Sequence, residues 1–342
     1  MSDIRRVDCH VHYIPTDVSQ KDFETRGNAM QGMMKVSLTQ RPAWRDLGKL
    51  AGIMDETNVD LGLIIPNHTT FPEMNGRPSH VAYEAYNKSM SADLAKSGLG
   101  DRFVAMACVD PFDESKEQIA QLERSLQLPH IAGIGLITNY GNITLDDPHF
   151  TPIFKIAREY DVPVTVHPGG AWPSWYQALH AGESSFMGGG LGFFLTDAMA
   201  IFMMAHAGVF DRFPTVRFMF CQLGGCAAIC CGRWSSGIKH YRIGMENQDD
   251  ELPQWARHEL SDIMSHLWLD THTCNRNAMR MLIEEAGDHT IVLGGDYPVT
   301  LPDLGVDYAM AEIEALNLPP QVKRKLERDN GLALLGKRAP AG

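Results

Sequence analysis

Apolar and β-branched residues bunch along the chain into eight short runs, each ending in a polar or turn residue. They are VDCHVHY (7–13), LGLIIPN (61–67), FVAMACVD (103–110), IAGIGLIT (131–138), PVTVHP (163–168), VRFMFCQ (216–222), HLWLDTHT (266–273) and HTIVLGGDYP (289–298). Runs that are apolar at nearly every position suit strands covered on both faces. Between them lie segments with a helical repeat: 45–57, 80–97, 114–126, 151–160 and 196–210. Parallel strands need crossover connections, and closing the sheet removes its edges. Eight such units therefore predict an α/β fold of the (β/α)8 TIM-barrel kind, as a single domain over 1–342. The competing arrangement is an open doubly wound sheet, but no G-x-G-x-x-G follows the first strand. Two segments exceed an ordinary βα loop, 14–42 after the first strand and 171–195 after the fifth. Loops at that end of a barrel build its active face, so both are predicted as active-face insertions. Trp172, Trp175, Tyr176 and Phe186, with Gly188, Gly189 and Gly190, suit a loop that closes over a planar substrate.

Composition narrows the function. The 342 residues are 44% hydrophobic, enough for one large core, and the formal charge of −12 disfavours nucleic acid or an anionic membrane as partner. Seven cysteines with no C-x-x-C spacing are expected to be reduced thiols in a cytoplasmic protein. The opening MSDIRRVDCHVHY lacks the apolar stretch of a secretory signal. The apolar segment from Leu191 to Phe210 contains Asp197 and His206, and is predicted to be a buried barrel helix capped near Thr196.

Candidate chemistry sits at the ends of the predicted strands. Residues two apart on a strand share a face, so His10 and His12 can reach into the barrel together while Cys9 and Val11 face the helices. His167 ends the fifth strand and Asp296 the eighth, which brings all four groups to one rim. Three imidazoles and a carboxylate suit one divalent metal ion, zinc by preference, with manganese or iron also compatible.

The stretches DCHVHY, TLDDPHFTPIFKIAREYDVPVTVHPGG, GVFDRFPTVRFMF and GGDYP followed by DNGLALLG resemble the amidohydrolase superfamily. The branch they resemble contains aminocarboxymuconate-semialdehyde decarboxylase and related decarboxylases, hydratases and C–C bond hydrolases. The resemblance implies a barrel of the metal-dependent hydrolase type, with His10, His12, His167 and Asp296 as ligands. It also implies a homodimer or higher homo-oligomer. One departure stands out. Members usually close strand six with A-H-G-G-G, whereas this chain reads Cys221-Gln222-Leu223-Gly224-Gly225-Cys226, placing Gln222 where a protonatable His is expected. An amide can orient a substrate but cannot shuttle a proton near neutral pH.

Proton transfer is therefore expected from the end of strand seven, where His272 and Cys274 follow Asp270 with one strand parity. His206 is read as a packing or capping residue and Asp8 as a supporting group. Arg77, Arg233 and Arg276 are the available anchors for a substrate carboxylate. By resemblance, the leading function is decarboxylation of a planar aromatic or conjugated carboxylic acid, a carboxy-lyase reaction on a small-molecule carboxylate. The alternatives are hydrolysis or hydration through a metal-activated water, and a barrel that binds a ligand without turnover.

Overall fold

The computed structural model describes residues 4–340 apart from 22, 25–40, 68–69, 73–75, 114, 170–187 and 246–250. Eight parallel strands form one sheet in sequence order: β1 (Val7–Val11), β2 (Leu61–Ile64), β3 (Phe103–Cys108), β4 (Ile131–Ile137), β5 (Val164–His167), β6 (Phe218–Phe220), β7 (Leu267–Asp270) and β8 (Ile291–Val292). Each is followed by a principal helix: α1 (Leu47–Glu56), α2 (Ser79–Ser97), α3 (Glu117–Ser125), α4 (Thr151–Glu159), α5 (Phe193–His206), α6 (Ala227–Met245), α7 (Arg276–Ala286) and α8 (Val306–Ala315). The ends of β1 and β8 close the ring. Cys9 N–H donates to Leu293 O at 2.8 Å, Asp296 N–H to His10 O at 2.7 Å, and His12 N–H to Tyr297 O at 2.8 Å. This is the barrel that the alternation of apolar runs and helical segments predicts.

Strand side chains divide between two apolar layers. Leu61, Leu63, Val104, Met106, Met219, Cys221 and Val292 fill the inside, joined by Leu334 and Leu335. Their neighbours Ile64, Ala105, Phe218, Phe220, Leu269 and Ile291 pack outward against the helices. The expected alternation is interrupted on β4, where Ala105 pairs with Ile131 but Met106 with Gly133, and on β1, where it moves a residue near the site. Asp8 pairs with Gly62 but Val11 with Ile64, so β1 carries one extra residue there. Cys9 consequently joins the interior layer instead of facing the helices, and only Val11 packs outward as expected.

The helices follow local chemistry. Asp46 caps α1 by accepting from Lys49 N–H, and Asn275 caps α7 by accepting from the N–H groups of Asn277 and Ala278. On α4 the stripe Ile153, Phe154, Ile156 and Ala157 is buried. Helix α5 departs from expectation. The π turn Gly188–Gly192 runs straight into it, so it begins at Phe193, and Thr196 Oγ1 donates to Phe193 O instead of capping. By length and composition, Gly189–His206 is apolar enough to cross a membrane. Here it packs on the barrel with Asp197, Ala198, Ile201 and Met204 buried.

The segment after α8 seals the barrel's other end. The π turn Lys325–Asp329 offers Leu326 O to Leu293 N–H at 3.1 Å, filling the seam between β8 and β1. Beyond it, Asn330 Nδ2 donates to Ile291 O, Arg217 Nε to Leu334 O, and Arg338 Nη1 to Leu126 O, so residues 330–338 span the base. Trp172, Trp175, Tyr176 and Phe186, and most of both predicted insertions, lie outside the described residues.

Candidate metal centre

The extra residue on β1 and the strand ends of β5 and β8 bring His10, His12, His167 and Asp296 together, with ligand atoms within 4.8 Å of one another and all four residues buried. His12 Nε2 lies 2.9 Å from Asp296 Oδ1, and His10 Nε2 lies 3.2 Å from both His12 Nε2 and that same oxygen. Each histidine is held from behind. His10 Nδ1 is 2.8 Å from Asp270 Oδ2, His12 Nδ1 is 2.7 Å from Ile65 O, and His167 Nδ1 is 2.8 Å from Pro168 O. All three partners are acceptors, so each Nδ1 carries the proton and each Nε2 presents a lone pair.

That arrangement tests the fit of a metal. Two Nε2 lone pairs 3.2 Å apart, beside a carboxylate oxygen, have no donor between them and repel unless a cation is shared. Ligand bonds of about 2.0–2.1 Å around one ion place neighbouring donors roughly 3 Å apart, which matches these separations. The site fits one divalent cation, and these four residues would hold it.

Burial pushes Asp296 upward, but His272 and His10 beside it hold its carboxyl well below the usual range. Burial likewise opposes the charge of Asp270, yet His10 and His272 hold it below its ordinary value. His167 is pushed well below by burial and by the two neighbouring imidazoles. His10 runs the other way. Burial is outweighed by Cys221, Asp270 and Asp296, which raise it.

Asp270 is the organising residue that the motif reading passed over. Its Oδ2 takes His10 Nδ1, while Oδ1 accepts the N–H groups of Gln222 and His272, both at 2.9 Å. One buried carboxylate thus ties the ends of β1, β6 and β7 together. Its signal was the D-x-H of the seventh run, a carboxylate two residues before a rim histidine. Arg41 was also passed over. It donates to Pro298 O and Val299 O at 2.5 and 2.6 Å, beside the Asp296 loop. Trp44 stacks on His12 at 6.0 Å between ring centres.

The strand-seven candidates part company. His272 reaches the rim, with Nε2 3.2 Å from Asp296 Oδ2, and its buried Nδ1 has no hydrogen-bond partner among the described residues. Cys274 lies in the apolar layer between barrel and helices, and burial pushes its thiol far above the usual range. Gln222 sits at the rim in a left-handed conformation (φ 54°), as do Leu223, Gly224 and Gly225 after it.

Asp8 accepts the N–H groups of His10 and Gly295, and burial raises its carboxyl to about 7. His206 is exposed and stacks on Trp255, away from the metal residues. Arg77 pairs with Asp17, Arg276 with Glu312, and Arg233 is exposed on α6.

The family model described as amidohydrolase matches residues 7–337. The chain belongs to the amidohydrolase family. Among relatives, it is 29% identical over 317 residues to the decarboxylase orsB of Emericella nidulans, covering 90% of this chain and 89% of that one. It is 24% identical over 244 residues to 2-amino-3-carboxymuconate-6-semialdehyde decarboxylase of Dictyostelium discoideum, covering 69% of this chain. That second match spans 61% of the relative, less than two thirds of its length. In structure, the chain is similar to 5-carboxyvanillate decarboxylase of Novosphingobium aromaticivorans, solved with bound manganese and 3-methoxy-4-hydroxy-5-nitrobenzoic acid. The TM-score is 0.78 at 17% identity, with 96% of each chain covered. All three of these proteins are decarboxylases by name.

Proposed function

We propose that this amidohydrolase is a metal-dependent carboxy-lyase that removes carbon dioxide from a planar aromatic or conjugated carboxylic acid. The observation that carries the reading is the outward tie of all three histidine Nδ1 atoms, which leaves three Nε2 atoms and Asp296 facing one point at the strand ends. A divalent ion there supplies the positive charge that holds the substrate carboxylate or an adjacent oxygen. On the donor set the ion is zinc, and the manganese bound by the Novosphingobium relative makes that metal the first competitor.

The chain's own residues then divide the work. Gln222 orients the substrate by hydrogen bonding, and His272 carries the proton, in preference to the deeply packed Cys274. Burial lowers His272, so it rests as the neutral imidazole; it takes up a proton from solvent once the substrate anion is bound, and that proton passes to the carbon bearing the carboxylate. The bond from that carbon to the carboxylate breaks, its electron pair restores the conjugated system, carbon dioxide leaves, and His272 is left as the neutral imidazole. Arg41, partly buried beside the Asp296 loop, favours an anionic substrate.

Two further assignments belong to this reading. The protein acts in the cytoplasm, and it assembles as a homodimer or larger homo-oligomer. The apolar groove of Phe202, Trp234 and Trp255, with Ile229 and Ile243 exposed on α6, supports the second. Light scattering on the purified protein reads the assembly directly.

The function is tested by offering metal-loaded protein a panel of hydroxybenzoates and muconate-like acids. Release of carbon dioxide, with solvent hydrogen entering at the vacated carbon, is the expected result. Incorporation of solvent oxygen without carbon dioxide overturns it in favour of a hydrolase or hydratase. Tight binding without turnover across the panel points to a ligand-binding barrel.

A further inference from the structure

Behind the metal residues lies a carboxyl group that none of the chemistry above uses. Asp197, on α5, is fully buried, and neither of its oxygens has a hydrogen-bond partner among the described residues. An ionised carboxylate in that position is prohibitively costly. Burial, and then the charge on Asp270, push it well above the usual carboxylate range, with only His10 acting the other way. Asp197 therefore stands as a neutral acid, one of the few groups there with a proton to donate.

Its place on the helix says what it faces. Residues 194, 197 and 201 share one side of α5. At one end of that row, a Cβ on Gly225 would collide with the Phe194 carbonyl; at the other, a Cβ on Gly224 would meet Ile201 Cδ1 at 2.7 Å. Asp197 lies between these contacts, opposite the turn that carries Gln222. Helix α5 packs directly against the turn Gln222–Gly224, which puts this face of the helix behind it.

Gln222 presents the complementary need. It keeps 6% of its surface accessible, none of it at Oε1, which is buried and has no partner among the described residues. The amide oxygen is thus turned into the protein and requires a donor. Among the described residues, His272 Nδ1 is a further unpartnered atom at this rim. With Nε2 donating to Asp296 Oδ2, it too is an acceptor and cannot help.

We propose that Asp197 is a positioning residue that donates its carboxyl proton to Gln222 Oε1, fixing the amide so that its two N–H donors are turned toward an anionic oxygen of the substrate. In place of a rim histidine that changes charge, the chain has a buried acid and an amide that together read substrate charge without exchanging protons. The pairing of Asp197 with Gln222 is independent of the reaction, while the substrate half rests on the carboxy-lyase reading.

The experiment keeps those halves apart. A double-mutant cycle of Asp197→Leu, Gln222→Met and both together is followed by thermal melting of the metal-loaded protein. Asp197→Leu is expected to lower Tm by about 2 °C or more when Gln222 is present and not when Met replaces it. Asp197→Asn supplies an N–H in place of the acid proton and should restore the melting temperature. Equal Tm for the Asn and Leu variants, or additive effects, overturns the pairing. Should Asp197→Leu fail to fold, the near-isosteric Asp197→Thr and Asp197→Val, with and without a donor, make the same comparison. On a substrate that the panel identifies, Leu should raise KM about tenfold with a smaller change in kcat, and Asn should hold KM near normal. An intact melting cycle with no KM effect rejects the substrate half alone.

Discussion

Replacing Asp270 with Asn removes one charge and almost no volume, and its effect can be worked through atom by atom. Oδ1 accepts two backbone N–H groups and Oδ2 accepts His10 Nδ1–H. An asparagine can keep its oxygen on the two backbone donors only by turning its NH2 toward His10. His10 must then accept at Nδ1 and carry its proton on Nε2, the atom facing His12 and Asp296. A protonated Nε2 is no ligand. Loss of such a supporting partner weakens metal binding roughly 10- to 100-fold, or about 1.4–2.7 kcal/mol. At free metal equal to 100 times the native dissociation constant, the ion stabilises the native protein by about 2.7 kcal/mol; in the variant this falls to about 1.4–0.4 kcal/mol. The assay is competition with a chelator of known affinity, with melting curves recorded with and without metal. If Asp270→Asn bound zinc or manganese as tightly as the native chain, with an unchanged metal-dependent rise in melting temperature, the tautomer argument would be refuted.

Other perturbations separate chemistry from packing. His272→Asn should lower turnover about 10²-fold while metal content, read by elemental analysis, stays at one ion per chain. Cys274→Ser should leave turnover near normal but cost about 1–3 kcal/mol in urea unfolding, because it buries a hydroxyl in an apolar layer. Gly225→Ala should fail to fold or lose more than about 4 kcal/mol, since it adds a Cβ against the Phe194 carbonyl at φ 63°. Gly232→Ala, in open space on α6, should gain roughly 0.5–1 kcal/mol. Hydrogen bonds from Arg124 first, and Lys88 next, lower Glu84 from 4.5 to about 2. That contribution is complete above about pH 4.5 and fades as pH falls toward 2, so Glu84→Gln should flatten the melting curve against pH over that window only.

The strands and the four metal residues were legible because burial on both faces writes long apolar runs, and because strand ends are where a barrel keeps its chemistry. What stayed hidden depends on contacts distant in sequence. Helix α6 carries Gly232, Gly237 and Gly244 and has no clean apolar stripe, so its sequence gives no helical signal. The extra residue in β1 shows only in its pairing with β2, so the sequence placed Cys9 on the wrong face. Asp270 looked like one more strand residue until three donors from three strands were seen to meet on it. Cys274 shares a strand parity with His272, but the strand ends at Asp270 and Thr273 turns left-handed at φ 52°, so parity no longer decides where its side chain goes.

The base of the barrel ties synthesis to closure. The first strand leaves the ribosome more than 300 residues before the π turn whose Leu326 carbonyl occupies its seam with β8 and the Leu334–Leu335 pair that fills its floor. Until that segment emerges, Val7, Cys9 and the inward residues of β2 and β3 have no floor to pack against, and the nascent barrel stays open along one side. Nascent chains stalled short of residue 325 should therefore remain susceptible to protease across all eight strands. Chains stalled far enough beyond residue 338 to clear the exit tunnel should become resistant in a single step.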